Sequence, residues 1–116
     1  MATVEEWQLF LEQLATKDSR LQRAIAIIFG ALVADASGQP LHWIYKMDRL
    51  KDVLRGVDKP EFFEPSANPF YQLEVGAQSP YGDEMMVVLE SLASCDGFNL
   101  EHLKKTFLNS LSLIHI

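Results

Sequence analysis

The interval between apolar residues changes from segment to segment, and each interval predicts a helix or the end of one. Val4, Trp7, Leu11 and Leu14 recur three or four residues apart, so they share one face of an amphipathic helix. Thr3 and Glu6 have the spacing of a capping box at its start. Ser19 and Gln22 repeat that spacing, and Leu21–Ala34 then runs almost entirely apolar. A helix apolar on every face belongs at the centre of a fold, with partners all round. It should end near Ser37 and Gly38, where glycine can take the left-handed C-terminal conformation and Pro40 cannot extend the ladder. Asp48–Leu54 reads as a short helix with Leu50, Val53 and Leu54 inward, closed by Gly56.

From residue 57 to 80 the period is lost. Pro60, Pro65, Pro69 and Pro80 break any ladder, so these residues read as one long loop. Loops of that length are usually functional or disordered. Phe62, Phe63, Phe70 and Tyr71 argue for order, because aromatic side chains seek cover. Asp83 then opens a helix through Met85, Val88, Leu89 and Leu92, with the two methionines Met85 and Met86 as core filler. Asp96 and Gly97 break it, and Asn99 caps a last helix carrying Leu100, Leu103, Phe107 and Leu111. No segment alternates as a strand does, so the expected fold is all-α and residues 1–116 form a single domain.

Composition narrows the partners. Hydrophobic residues make up 48% and charged residues 22%, as in ordinary globular chains. The net charge of −6 argues against nucleic acid and against an anionic membrane surface, both of which attract a basic face. The longest apolar run, Ala24–Ala34, is too short to cross a bilayer. The start lacks a basic segment before an apolar one, and the lone Cys95 fits a reducing compartment, so the expected location is the cytoplasm.

Asp83 and Glu84 are adjacent carboxylates at a predicted helix start. Acids there complement the helix dipole and cap N–H groups. Hard oxygens at a turn can also hold Mg²⁺. Adjacent helical residues point about 100° apart, so the two could not chelate one ion together. Asp35 lies near a helix C-terminus, where the dipole disfavours an acid, and this invites a hydrogen-bond partner or a ligand. Cys95 reads as a helix-end residue rather than a nucleophile, and His102 and His115 have no ligand spacing between them.

Two of these segments, GALVADASGQPLHWIY at 30–45 and YGDEMMVVLESL at 81–92, resemble the N-terminal signature pair of the ADP-ribosylglycohydrolase family, closest to its J1-crystallin branch. The resemblance covers roughly residues 21 to 111. It implies an orthogonal helical domain of that type, represented by its N-terminal helices, and ancestrally Mg²⁺-dependent hydrolysis of ADP-ribosyl bonds. It also implies Asp83 and Glu84 as metal ligands, Asp35 as a ligand-binding residue, and an ADP-ribose-like molecule or an ADP-ribosylated protein as partner. The chain departs from the pattern at five positions, one of them the longer Glu84 where the family has an aspartate. Gly82 and Met85 stand where the family has threonines, Ala34 replaces an inner glycine, and His42 replaces a glutamate that acts on the ribosyl bond. A histidine could serve as a general base there, or be a satisfied structural residue.

The family completes its two-metal site with a downstream aspartate motif, and Asp96 is the sole aspartate after Glu84. The expected outcome is therefore an incomplete Mg²⁺ site without hydrolysis. The alternatives are a J1-crystallin-like soluble structural protein or a non-catalytic binder of an ADP-ribose-like ligand. Residues 112–116 end apolar without a polar cap and are expected to be a non-native tail. With few short helices to cover Leu21–Ala34, the chain should pack loosely, self-associate or need a partner.

Overall fold

The structure is a computed structural model that describes residues 2–113. His115 and the apolar Ile114 and Ile116 lie outside the described residues. Among the described residues there are five α-helices and no strand, so the chain is all-α. They are α1 (Val4–Ala15), α2 (Ser19–Gly38), α3 (Met47–Val53), α4 (Pro80–Ser94) and α5 (Leu100–Leu113). A 3₁₀ turn, Gln39–Leu41, follows α2 directly. The chain divides into two compact units at Val33 and Ala34.

The first unit is a helical hairpin. The capping box forms as the spacing predicts: Thr3 N–H donates to Glu6 Oε2 at 2.6 Å and Glu6 N–H to Thr3 Oγ1 at 3.1 Å. At the start of α2 the expected Ser19 cap is replaced by Asp18, whose Oδ1 accepts from Arg20 and Leu21 N–H at 2.9 and 3.0 Å. Asp18 supplies a carboxylate where the dipole favours one. Trp7 sets its ring against Phe10 and Phe29, with centroids 5.8 and 5.5 Å apart. An apolar groove of about 330 Å³ runs beside them, lined by Leu11, Leu14 and Ile25 among others.

The expectation that Leu21–Ala34 is a covered central helix does not hold in this structure. Ile27 is 72% and Val33 56% exposed, and the one buried residue of α2 is Ala36, near its end. Within the first unit α1 is the helix it packs against, and one amphipathic helix cannot cover an all-round apolar one. Gly30 also has no neighbour that an added Cβ would meet, so close packing does not explain it. The helix runs past Asp35, which the 11-residue apolar estimate stopped short of. Ser19–Leu41 spans 23 residues with a mean hydropathy of 1.5, long and apolar enough by length and composition to cross a membrane. A core helix of a soluble protein meets the same criterion.

The second unit begins with the last turn of α2. Gly38 is right-handed, with φ −84°, so it does not end the helix as a left-handed residue. The winding tightens into the 3₁₀ turn instead, and the left-handed residue is Trp43, with φ 68°. Residues 54–79 contain no helix or strand. Their order comes from buried amides rather than from the aromatic rings. Gln39, fully buried, donates through Nε2 to the carbonyls of Glu74 and Ala77 at 3.1 and 3.4 Å. Asn68, 2% exposed, accepts on Oδ1 from Phe70 and Tyr71 N–H at 2.8 and 3.0 Å. The loop returns the favour to α2: Phe62 N–H donates to Ser37 O and Ala67 N–H to Pro40 O.

α4 and α5 pack side by side, with Val87 and Ser91 buried in α4. Asp96 and Gly97 make the predicted break with φ 50° and 142°, and Asn99 Oδ1 caps α5 by accepting from His102 N–H at 2.9 Å. Met85 is half-buried but Met86 is 45% exposed, so Met86 is not core filler.

Candidate functional site

The site is built where the end of α2 meets the start of α4. Ser79 is the N-cap of α4 and Pro80 its first residue, three residues ahead of the expected opening at Asp83. Pro at the first helical position needs no N–H partner, and serine before it satisfies the exposed amides. Ser79 Oγ accepts from Tyr81 and Gly82 N–H at 3.2 and 3.3 Å. That Ser-Pro pair is the sequence signal for this boundary, and it also identifies Ser79 as a site residue that the family resemblance passes over.

Asp35 finds its partner here. Its carboxylate accepts from Ser79 N–H at 2.7 Å and from Ser79 Oγ at 2.5 Å. Ser79 is fully buried and Asp35 half-buried, so the two bonds are shielded from water. This answers the unfavourable dipole at the C-terminal end of α2 with two strong donors from α4. Gly82 is buried directly against the pair. A Cβ built on it would fall inside hard contact of Asp35 Oδ2 and Gln78 Oε1. The missing threonine at 82 is thus not an empty place: the Asp35 and Gln78 oxygens occupy it.

Asp83 and Glu84 sit one turn into α4 with exposed side chains, and Asp83 N–H donates to Ser79 O at 2.9 Å. Asp83 is held above the ordinary carboxylate pKa, chiefly by partial burial and then by the negative charge of Asp35. The structure therefore brings Asp35 and Asp83 into one electrostatic neighbourhood. No group of three or more His, Cys, Asp or Glu side chains placed to hold a metal ion occurs among the described residues. Both Asp35 oxygens accept from Ser79.

His42 Nδ1 lies 3.0 Å from Tyr71 Oη. Burial, and after it the charge of Asp35, raises the Tyr71 hydroxyl pKa, so Tyr71 stays a neutral donor well above neutral pH. The residues that sequence reasoning missed are aromatic. Trp43 stacks on Tyr81 at 6.4 Å and 19°, and meets Phe70 and Tyr45 edge-on at 5.2 and 6.0 Å. His42 faces Tyr81 at 6.5 Å. No period reveals this cluster, because its members come from a turn, a loop and a helix start. His102 also has partners: its Nδ1 lies 2.9 Å from Ser91 Oγ and 3.2 Å from Thr106 Oγ1 in the seam between α4 and α5. Cys95 is the C-cap of α4.

No family model matches the chain, and no solved structure matches it. Two curated proteins of Tripedalia cystophora do. Crystallin J1A is 41% identical over 86 residues, which are 74% of this chain and 27% of the crystallin. Crystallin J1B is 44% identical over 79 residues, 68% of this chain and 24% of the crystallin. The chain spans about a quarter of the length of these relatives. Over that stretch, the chain is similar to the J1 crystallins.

Proposed function

We propose that this chain is a J1-crystallin-like structural protein, built on a helical scaffold of ADP-ribosylglycohydrolase type whose site residues now serve the fold. The observation that carries this reading is the latch between Asp35 and Ser79. Each Asp35 oxygen accepts a hydrogen bond from a fully buried serine, which supports a role for this carboxylate in holding the fold. Gly82 deepens the argument, since the side-chain oxygens of Asp35 and Gln78 fill the space that a threonine there would need. His42 Nδ1 engages Tyr71 Oη at 3.0 Å, which ties the ring to the loop.

The second reading keeps Mg²⁺-dependent hydrolysis of ADP-ribosyl bonds, or binding of an ADP-ribose-like ligand without turnover. What favours it is the exposed pair Asp83 and Glu84, with Asp83 in the field of Asp35. Two carboxylates leave most of an ion's six or more positions to water, so Mg²⁺ binding there would be weak. Incubating the chain with an ADP-ribosylated protein and Mg²⁺ separates the readings. The structural reading expects no more ADP-ribose released than in a metal-free control. Release that Asp83→Asn abolishes would establish the hydrolase.

A further inference from the structure

Trp43 has an aromatic side and a basic side. On one lies Tyr81, stacked at 6.4 Å. On the other is a cleft of about 300 Å³ lined by Trp43, Ile44, Tyr45, Lys46, Arg49 and Phe70. Lys46 is the N-cap of α3 and Arg49 lies three residues on, so the two cations share a face. Among the described residues neither belongs to an ion pair, in a protein of net charge −6.

Three observations mark the cleft as built. Trp43 holds a left-handed backbone at φ 68°, which a bulky residue adopts only where its surroundings over-determine it. Phe70 is 72% exposed, yet its backbone is fixed by the buried Asn68, whose Oδ1 takes the Phe70 N–H at 2.8 Å. Trp43 and Phe70 meet edge-on at 5.2 Å, so each ring braces the other at the cleft. Exposed rings on a fixed backbone are the usual makings of a recognition surface, since their burial costs little side-chain entropy.

We propose that this cleft binds a small planar aromatic anion, its ring against Trp43 and Phe70 and its acidic group beside Lys46 and Arg49. The volume is at the lower end for a ligand pocket, so it fits one ring with one acidic group. The site is independent of the structural reading above, because it uses none of the latch residues.

The test uses the full chain with Trp7→Phe, so that Trp43 is the sole tryptophan. Phenyl phosphate should give saturable quenching of Trp43 fluorescence, with phenol and cyclohexyl phosphate each binding more weakly. Arg49→Gln and Lys46→Gln, both at exposed positions, should each weaken phenyl phosphate by up to about fivefold while leaving the circular dichroism unchanged. Phe70→Leu should weaken phenyl phosphate but not cyclohexyl phosphate. Non-saturable quenching, equal binding of phenol, or indifference to both charge substitutions would overturn the proposal. A phosphotyrosine peptide binding far more tightly than phenyl phosphate would overturn the assignment to a small free ligand.

Discussion

Asp35→Ala removes both acceptors from a serine that water cannot reach. Ser79 is fully buried, and its N–H and hydroxyl donate to Asp35 at 2.7 and 2.5 Å. A buried donor left without an acceptor costs about 1–3 kcal/mol. The hydroxyl can rotate, but the N–H cannot, so the expected loss is about 2–4 kcal/mol. That is a large part of a net stability of about 5–15 kcal/mol. In urea, with a slope of about 1–3 kcal/mol per molar, the unfolding midpoint followed by circular dichroism should fall by about 1–2 M. Asp35→Asn keeps the shape and one acceptor, and should cost less. The decisive measurement is the double-mutant cycle with Ser79→Ala, where a coupling of about 1–3 kcal/mol is expected. Additivity within about 0.5 kcal/mol would show that the latch is geometric coincidence and that Asp35 is free for other work.

Gly82→Ala, the smallest step toward the family's threonine, should lower the melting temperature through a loss of about 1–3 kcal/mol, because its Cβ meets the oxygens of Asp35 and Gln78; an unchanged melt would mean that those side chains move aside cheaply. Asp83 has a folded-state pKa above its ordinary 3.8, so it stabilises the fold below that value and loses this contribution as pH rises through the raised value. Asp83→Asn should therefore lose less stability than the parent across that window, measured as melting temperature against pH, and parallel curves would contradict the assignment. Ile27→Gln, at a position 72% exposed, should change stability by no more than about 0.5 kcal/mol while reducing binding of a hydrophobic dye; a large destabilisation would show that Ile27 is covered in solution.

Helices were legible where local chemistry alone decides them. The Thr3 capping box, the Asp96–Gly97 break and the Asn99 cap each depend on residues within a few positions of one another. The misreadings share another cause. Ser19 has the spacing of a cap but sits beside Asp18, whose charged oxygen competes better for the same N–H groups. α2 does end at Gly38 as expected, but not through a left-handed glycine: the reversal is made at Trp43, which no backbone rule would select. Asp35 and Ser79 lie 44 residues apart, so their pairing is invisible to any local pattern. The family resemblance placed Asp35, Asp83 and His42 in one region but could not say what each touches. Burial of α2 was misjudged because an apolar sequence states a need for cover, not its supply.

The loop between α3 and α4 takes up carbonyls at the end of α2 and in the 3₁₀ turn after it, with Phe62 N–H on Ser37 O and Ala67 N–H on Pro40 O. A helix C-terminus otherwise leaves such carbonyls to solvent or to a cap of its own. Helix end and loop are therefore one cooperative opening unit rather than a rigid rod with a floppy attachment. Their amide protons should exchange with deuterium at a common opening free energy, Phe62 and Ala67 together with Ser79 at the start of α4. Proteases should meet the same barrier: a bond in this proline-rich stretch becomes cleavable when the last turn of α2 lets go, not before.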